Sequence, residues 1–158
     1  MRMKILSLFA AVLLVSACET APDTSANQTG TGGAQTSSIR PGSQEDLAVN
    51  VGDRVFFGYD QYNLSPEARG TLDRQAQWLQ QYRNVTVTVE GHADERGTRE
   101  YNLALGERRA NSVKNYLVAR GVGANRVKTI SYGKERPAVV GSGEAAWAQN
   151  RRGVTVVD

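Results

Sequence analysis

Apolar and polar positions divide the chain into three stretches with different patterns. From Ile5 to Val15 the residues are almost wholly apolar (ILSLFAAVLLV), a run of 11. From Glu19 to about Ser43 they are small and polar, and Ile39 is the one large apolar side chain. From Glu45 to Asp158 apolar residues recur with a period of two or at helical spacing, the two signatures of packed secondary structure.

In this last stretch, Arg54-Val55-Phe56-Phe57 is a short β candidate. Ser65-Pro66-Glu67 then opens a helix, with Ser as N-cap, Pro at the first helical position and an acid near the positive end of the helix. Ala68, Leu72, Ala76, Leu79 and Tyr82 continue it as one apolar stripe. Val85 to Val89 alternates strictly, as a strand with one buried face does. Leu103, Ala110, Val113 and Leu117 mark a second amphipathic helix, stopped by Gly121. Val127–Tyr132 reads as a strand, Glu144–Gln149 as a short helix and Val154–Val157 as a final strand. The order β-α-β-α-β-(α)-β predicts an α+β domain: one mixed four-stranded sheet with helices packed on one face.

The first stretch has a different purpose. Met1-Arg2-Met3-Lys4 is a positive start, and the apolar run behind it is too short to cross a bilayer, which needs roughly 20 residues. Its length and flanks are those of a signal peptide, residues 1–17. Val15-Ser16-Ala17-Cys18 resembles the lipobox of bacterial lipoproteins. That resemblance implies cleavage before Cys18 and acylation of its thiol and new amine. The alternative is an ordinary secretory signal with an incidental cysteine. Glu19 follows the cysteine where an Asp often marks lipoproteins retained at the inner membrane, so the resemblance implies the outer membrane. Two or more acyl chains hold a protein stably on a membrane, at about 0.8 kcal/mol per buried methylene.

Residues 18–44 read as the lipidated cysteine and a flexible tether, because so little apolar surface cannot offset the entropy of ordering. Such a chain has an end-to-end distance of roughly 25–30 Å and stretches to roughly 80–90 Å.

Composition narrows the chemistry further. The net charge is +3. Loss of Arg2 and Lys4 from the 19 basic residues leaves 17 against 16 acids, too even a balance for a nucleic-acid footprint. Cys18 is the single cysteine and His92 the single histidine, which excludes an internal disulfide and any multi-histidine metal site. His92, Asp94 and Glu95 make a poor zinc set on their own.

The densest polar cluster, Gly91 to Asn102 (GHADERGTREYN), begins where the central strand ends and runs into the second helix. Loops at strand ends are where sheets place binding groups. Asp94 falls in such a loop, and Arg109 about two turns into the helix, so the two can converge on one side of the sheet. A purely structural Asp94–Arg109 ion pair is the alternative.

The segment GHADERGTREYNLALGERRANSVKNYL resembles the signature of OmpA-like peptidoglycan-binding domains. With VFFGYDQYNL, ISYGKERPAVVG and EAAWAQNRRGVTVV, the likeness covers about residues 51–158 and is fullest to the lipid-anchored members, the peptidoglycan-associated lipoproteins. It implies an OmpA-like domain over residues 45–158 that binds the peptide stem of peptidoglycan through meso-diaminopimelate, without catalysis or cofactor. One end of that residue carries an ammonium and a carboxylate on one carbon. By the resemblance, Asp94 takes the ammonium, Arg109 the carboxylate, Asn102 lines the pocket, and Asp60 contacts the same stem. His92 and Leu103 are further candidate lining residues. Gly106 stands where the family motif often has Ser. The resemblance also implies membership of the Tol–Pal system, in which TolB is a partner and the complex aids envelope constriction in cell division. A wall-acting hydrolase is the competing class, but no nucleophile with a base and no metal cluster is visible to serve it. An OmpA-like lipoprotein without the TolB partnership is a third. Arg151-Arg152 reads as a solvated pair at the start of the last strand, Trp78 and Trp147 as core or helix-face residues, and Tyr62 and Tyr101 as ambiguous neighbours of the pocket.

Overall fold

The computed structural model describes residues 39–158. The signal segment 1–17, Cys18 and the tether up to residue 38 lie outside the described residues.

The domain begins earlier than the boundary at residue 45 expected from sequence. Ser43 caps a short helix, α1 (Gln44–Asp46), which continues as a π-helical turn, Leu47–Val51. The Gln44 side chain is tied to the end of the last strand: its Oε1 accepts from Val157 N at 2.7 Å and its Nε2 donates to Thr155 O at 3.4 Å. Neither contact leaves a mark in local sequence.

The other elements are β1 (Arg54–Phe56), α2 (Pro66–Gln81), β2 (Val87–His92), α3 (Arg99–Ala119), β3 (Val127–Gly133), α4 (Glu144–Asn150) and β4 (Arg152–Val157). The sheet order is β1-β4-β2-β3. β2 and β3 are parallel, and β4 is antiparallel to both β1 and β2. This is the mixed four-stranded sheet expected, with α2 and α3 against one face. The core between them contains Val55, Leu72, Leu79, Val87, Val89, Val113 and Leu117. Ser65 caps α2 through its side chain, accepting from Ala68 N, with Pro66 opening the helix.

Two glycines fix how close α3 comes to the sheet. A Cβ on Gly91 would lie 1.8 Å from the Gly106 carbonyl oxygen, and one on Gly106 would lie 2.2 Å from Ser131 Oγ. Helix and strand backbones therefore touch. Arg109 follows one turn later, and its side chain leans back toward the helix N-terminus. That is the end of the sheet where β1 and β2 finish and β4 begins.

Candidate functional site

At that end lies a cavity of about 280 Å³ lined by Tyr59, Asp60, Asp94, Arg96, Gly97, Tyr101, Asn102, Leu105 and Arg109. Four expected residues share it: Asp60, Asp94, Asn102 and Arg109.

Arg109 is fully buried. Its Nε donates to Gln61 O at 2.8 Å, Nη1 to His92 O at 2.8 Å and Nη2 to Gly58 O at 3.1 Å. A guanidinium has five N–H groups, so one remains on each terminal nitrogen. Burial pulls the group down to a pKa of about 10, opposed by the nearby charge of Asp94, and it stays cationic at neutral pH. Among the described residues it forms no ion pair with a carboxylate, so the simple Asp94–Arg109 pair is not formed.

Asp94 is paired elsewhere. Its Oδ1 accepts from Arg96 N and Nε, both at 3.1 Å, and its Oδ2 from Arg96 Nη2 at 2.5 Å and Arg151 Nη1 at 3.5 Å. Burial pushes its carboxyl up, but the hydrogen bonds and charge of Arg96 outweigh that, with help from Arg151, and hold it below the usual carboxylate range. The Arg96 guanidinium is stacked between two rings, 4.1 Å from the centroid of Tyr59 and 4.0 Å from that of Trp147.

Asp60 sits exposed at the mouth with φ +54°, the one described non-glycine residue in the left-handed region, and accepts a hydrogen bond from Tyr101 Oη. Asn102 is buried in the cavity wall, and its Nδ2 donates to Arg96 O at 2.8 Å and Thr98 O at 3.0 Å. It holds the Arg96–Thr98 loop against α3. The helix starts at Arg99, four residues before the first apolar position read from sequence, because Thr98 caps it by accepting from Tyr101 N.

Two expected lining residues are elsewhere. The His92 ring packs 5.6 Å from Tyr132 and faces Glu90 at 3.4 Å, with only its carbonyl reaching Arg109. Burial, then the charge of Arg152, lowers its pKa to about 4. Leu103 does not line the cavity; Leu105 does, because Asn102, Leu105 and Arg109 share a helix face at spacings of three and four. Arg151 and Arg152 are buried rather than solvated. Arg151 Nε donates to Phe57 O at 3.0 Å, and Nη2 to Glu144 Oε1 at 2.5 Å. Trp147 is half-buried on the face of α4, where it stacks on Arg96. Sequence reasoning did not single out Tyr59, Arg96 or Leu105, and read Arg151 as solvated. Arg96 lay inside the Gly91–Asn102 polar cluster and Leu105 at helical spacing from Arg109; Tyr59 had no signal.

The OmpA family model matches residues 56–151. The peptidoglycan-associated lipoprotein of Rhizobium meliloti is 62% identical over 117 residues, 74% of this chain and 66% of that protein. The protein of the same name from Haemophilus influenzae is 43% identical over 151 residues, 96% of this chain and 95% of its own. The crystal structure of the peptidoglycan-associated lipoprotein from Burkholderia pseudomallei superposes with a TM-score of 0.66 at 40% identity, covering 67% of this chain and 90% of that one. The chain therefore belongs to the OmpA family and, within it, to the peptidoglycan-associated lipoproteins.

Proposed function

We propose that this chain is a non-catalytic outer-membrane lipoprotein that grips peptidoglycan by the zwitterionic end of meso-diaminopimelate. The observation that carries the reading is one cavity holding a buried guanidinium with two uncommitted N–H groups and two carboxylates, Asp60 and Asp94. A planar guanidinium suits a carboxylate through paired hydrogen bonds. The adjacent acids suit the ammonium on the same carbon.

The position of the cavity supports the reading. The described chain begins beside Gln44, at the end of β4 marked by Val157. The cavity lies at the other end of the same strands. The pocket therefore opens at the end of the strands opposite the point where the described chain enters the domain. Charge-assisted hydrogen bonds contribute about 1.5–3 kcal/mol each, which gives a single stem an affinity on the order of micromolar to millimolar. Tethering beside a polymer makes such a grip sufficient by raising effective concentration. In the same reading TolB is the protein partner, within the Tol–Pal system that aids envelope constriction in division. The exposed rings of Tyr59, Tyr62 and Tyr101 near the pocket mouth are of the kind that protein interfaces favour, which supports a protein partner there.

The test is co-sedimentation of the full chain, in detergent, with isolated wall sacculi. Wild type is retained, and Asp94→Asn and Asp60→Asn are retained at least several-fold less. Equal retention of all three refutes the pocket. Co-purification of TolB with wild type checks the partnership separately.

A further inference from the structure

An ionised carboxylate offers about four lone-pair positions. Asp94 already receives four donors, three from Arg96 and one from Arg151. It is 5% exposed, and Arg109 is fully buried. If the pocket takes a zwitterion as read above, an ammonium that pairs with Asp94, and not with the exposed Asp60 alone, meets a saturated carboxylate, so one of those donors must leave.

Arg151 is poorly placed to leave. It is buried and tied also to Phe57 O and Glu144. The backbone N of Arg96 is fixed by the loop that Asn102 holds. The Arg96 side chain, 30% exposed, is the remaining choice. Its surroundings are those of a cation-recognition site. Two rings face it at 4.0 and 4.1 Å, and a carboxylate pairs with it. The Trp147 ring is itself fixed by its Nε1, which donates to Glu95 Oε1 at 2.9 Å. An aromatic pair with an acid suits a primary ammonium as well as a guanidinium.

We propose that Arg96 is a built-in stand-in for the ligand's ammonium, filling the Asp94–Tyr59–Trp147 subsite until an incoming primary ammonium displaces it. The proposal rests on the wall-binding reading and adds a gate to it. Arg96 therefore competes with the ligand, and its removal strengthens binding. Ligands without an ammonium gain nothing from that removal, because they do not contest the subsite.

Titration calorimetry on the full chain in detergent tests this, with free meso-diaminopimelate as probe and pimelate as the matched diacid without amines. Arg96→Ala and Arg96→Gln bind meso-diaminopimelate about tenfold more tightly than wild type, the size of one charge-assisted hydrogen bond given up by a competitor. Neither variant gains affinity for pimelate. In the wild type, the Arg96 side-chain Nε–H resonance moves on adding meso-diaminopimelate and stays put on adding pimelate, a readout that needs no variant. Equal or weaker binding by both variants, with wild type still held by sacculi, overturns the gate and leaves the wall-binding reading standing. Failure of wild type to bind either the free amino acid or sacculi overturns both.

Discussion

Arg109 is both the cationic floor of the pocket and a structural clamp, and the two roles separate when it is replaced by methionine, which keeps most of the side chain's length. Its three hydrogen bonds tie α3 to the loop after β1, at Gly58 and Gln61, and to the end of β2, at His92. Bonds to a charged group contribute about 1.5–3 kcal/mol each, so the set contributes about 4.5–9 kcal/mol. Against this stands burial of the charge, which lowers its pKa to about 10 and costs about 3 kcal/mol at neutral pH. The cation is the disfavoured form in the fold, so that cost is full below pH 10 and fades as pH rises above it toward the ordinary arginine range. Arg109→Met removes the bonds and the burial cost together, leaving a net loss of about 1.5–6 kcal/mol. Urea unfolding of the variant and wild type, compared at pH 7, measures it. A variant within about 0.5 kcal/mol of wild type refutes the clamp.

Three further outcomes follow from particular contacts. Gly91→Ala places a methyl 1.8 Å from the Gly106 carbonyl oxygen, so α3 must shift off the sheet. The expected loss is about 3 kcal/mol or more, read as a lower melting temperature, and an unchanged melt contradicts the close approach. His92 is buried with its Nδ1 unpartnered, and its pKa falls from 6.5 to about 4 on folding. The unfolded chain binds the proton first, so this group's contribution is complete above pH 6.5 and is lost as pH falls toward 4. Melting temperature against pH should therefore decline less steeply over that window in His92→Gln, and identical slopes sink the assignment. Replacing Cys18 with Ser should abolish palmitate labelling and release the chain from membranes; continued labelling excludes Cys18 as the lipid site.

Much of the architecture was legible because its causes are local. Ser65, Pro66 and the stripe from Ala68 to Leu79 place α2 correctly, since cap and periodicity act within a few residues. β3 was read to within a residue at its end. The misses have non-local causes. β2 begins at Val87 and runs on to His92, because β3 and β4 flank it on both sides. The segment Gln44–Val51 is helical through bonds to Thr155, Val157 and Trp78, all distant in sequence.

The site divides the same way. Asp94 and Arg109 were found through their motif, and the structure puts both in one cavity. His92 was misplaced although parity carried the answer: Val87 and Val89 face the core, and His92 falls on the opposite face with Glu90. The Arg96–Trp147 stack had no signal, because 51 positions separate the partners and only the fold brings them to 4.0 Å.

The most direct measurement is competition for the wall. Full chain bound to sacculi is challenged with free meso-diaminopimelate and, in parallel, with pimelate. The zwitterion clasp predicts release by meso-diaminopimelate at micromolar to millimolar concentration, on the order expected for a few charge-assisted bonds, and none by pimelate over the same range. Retention unmoved by both compounds, or release by both alike, contradicts it.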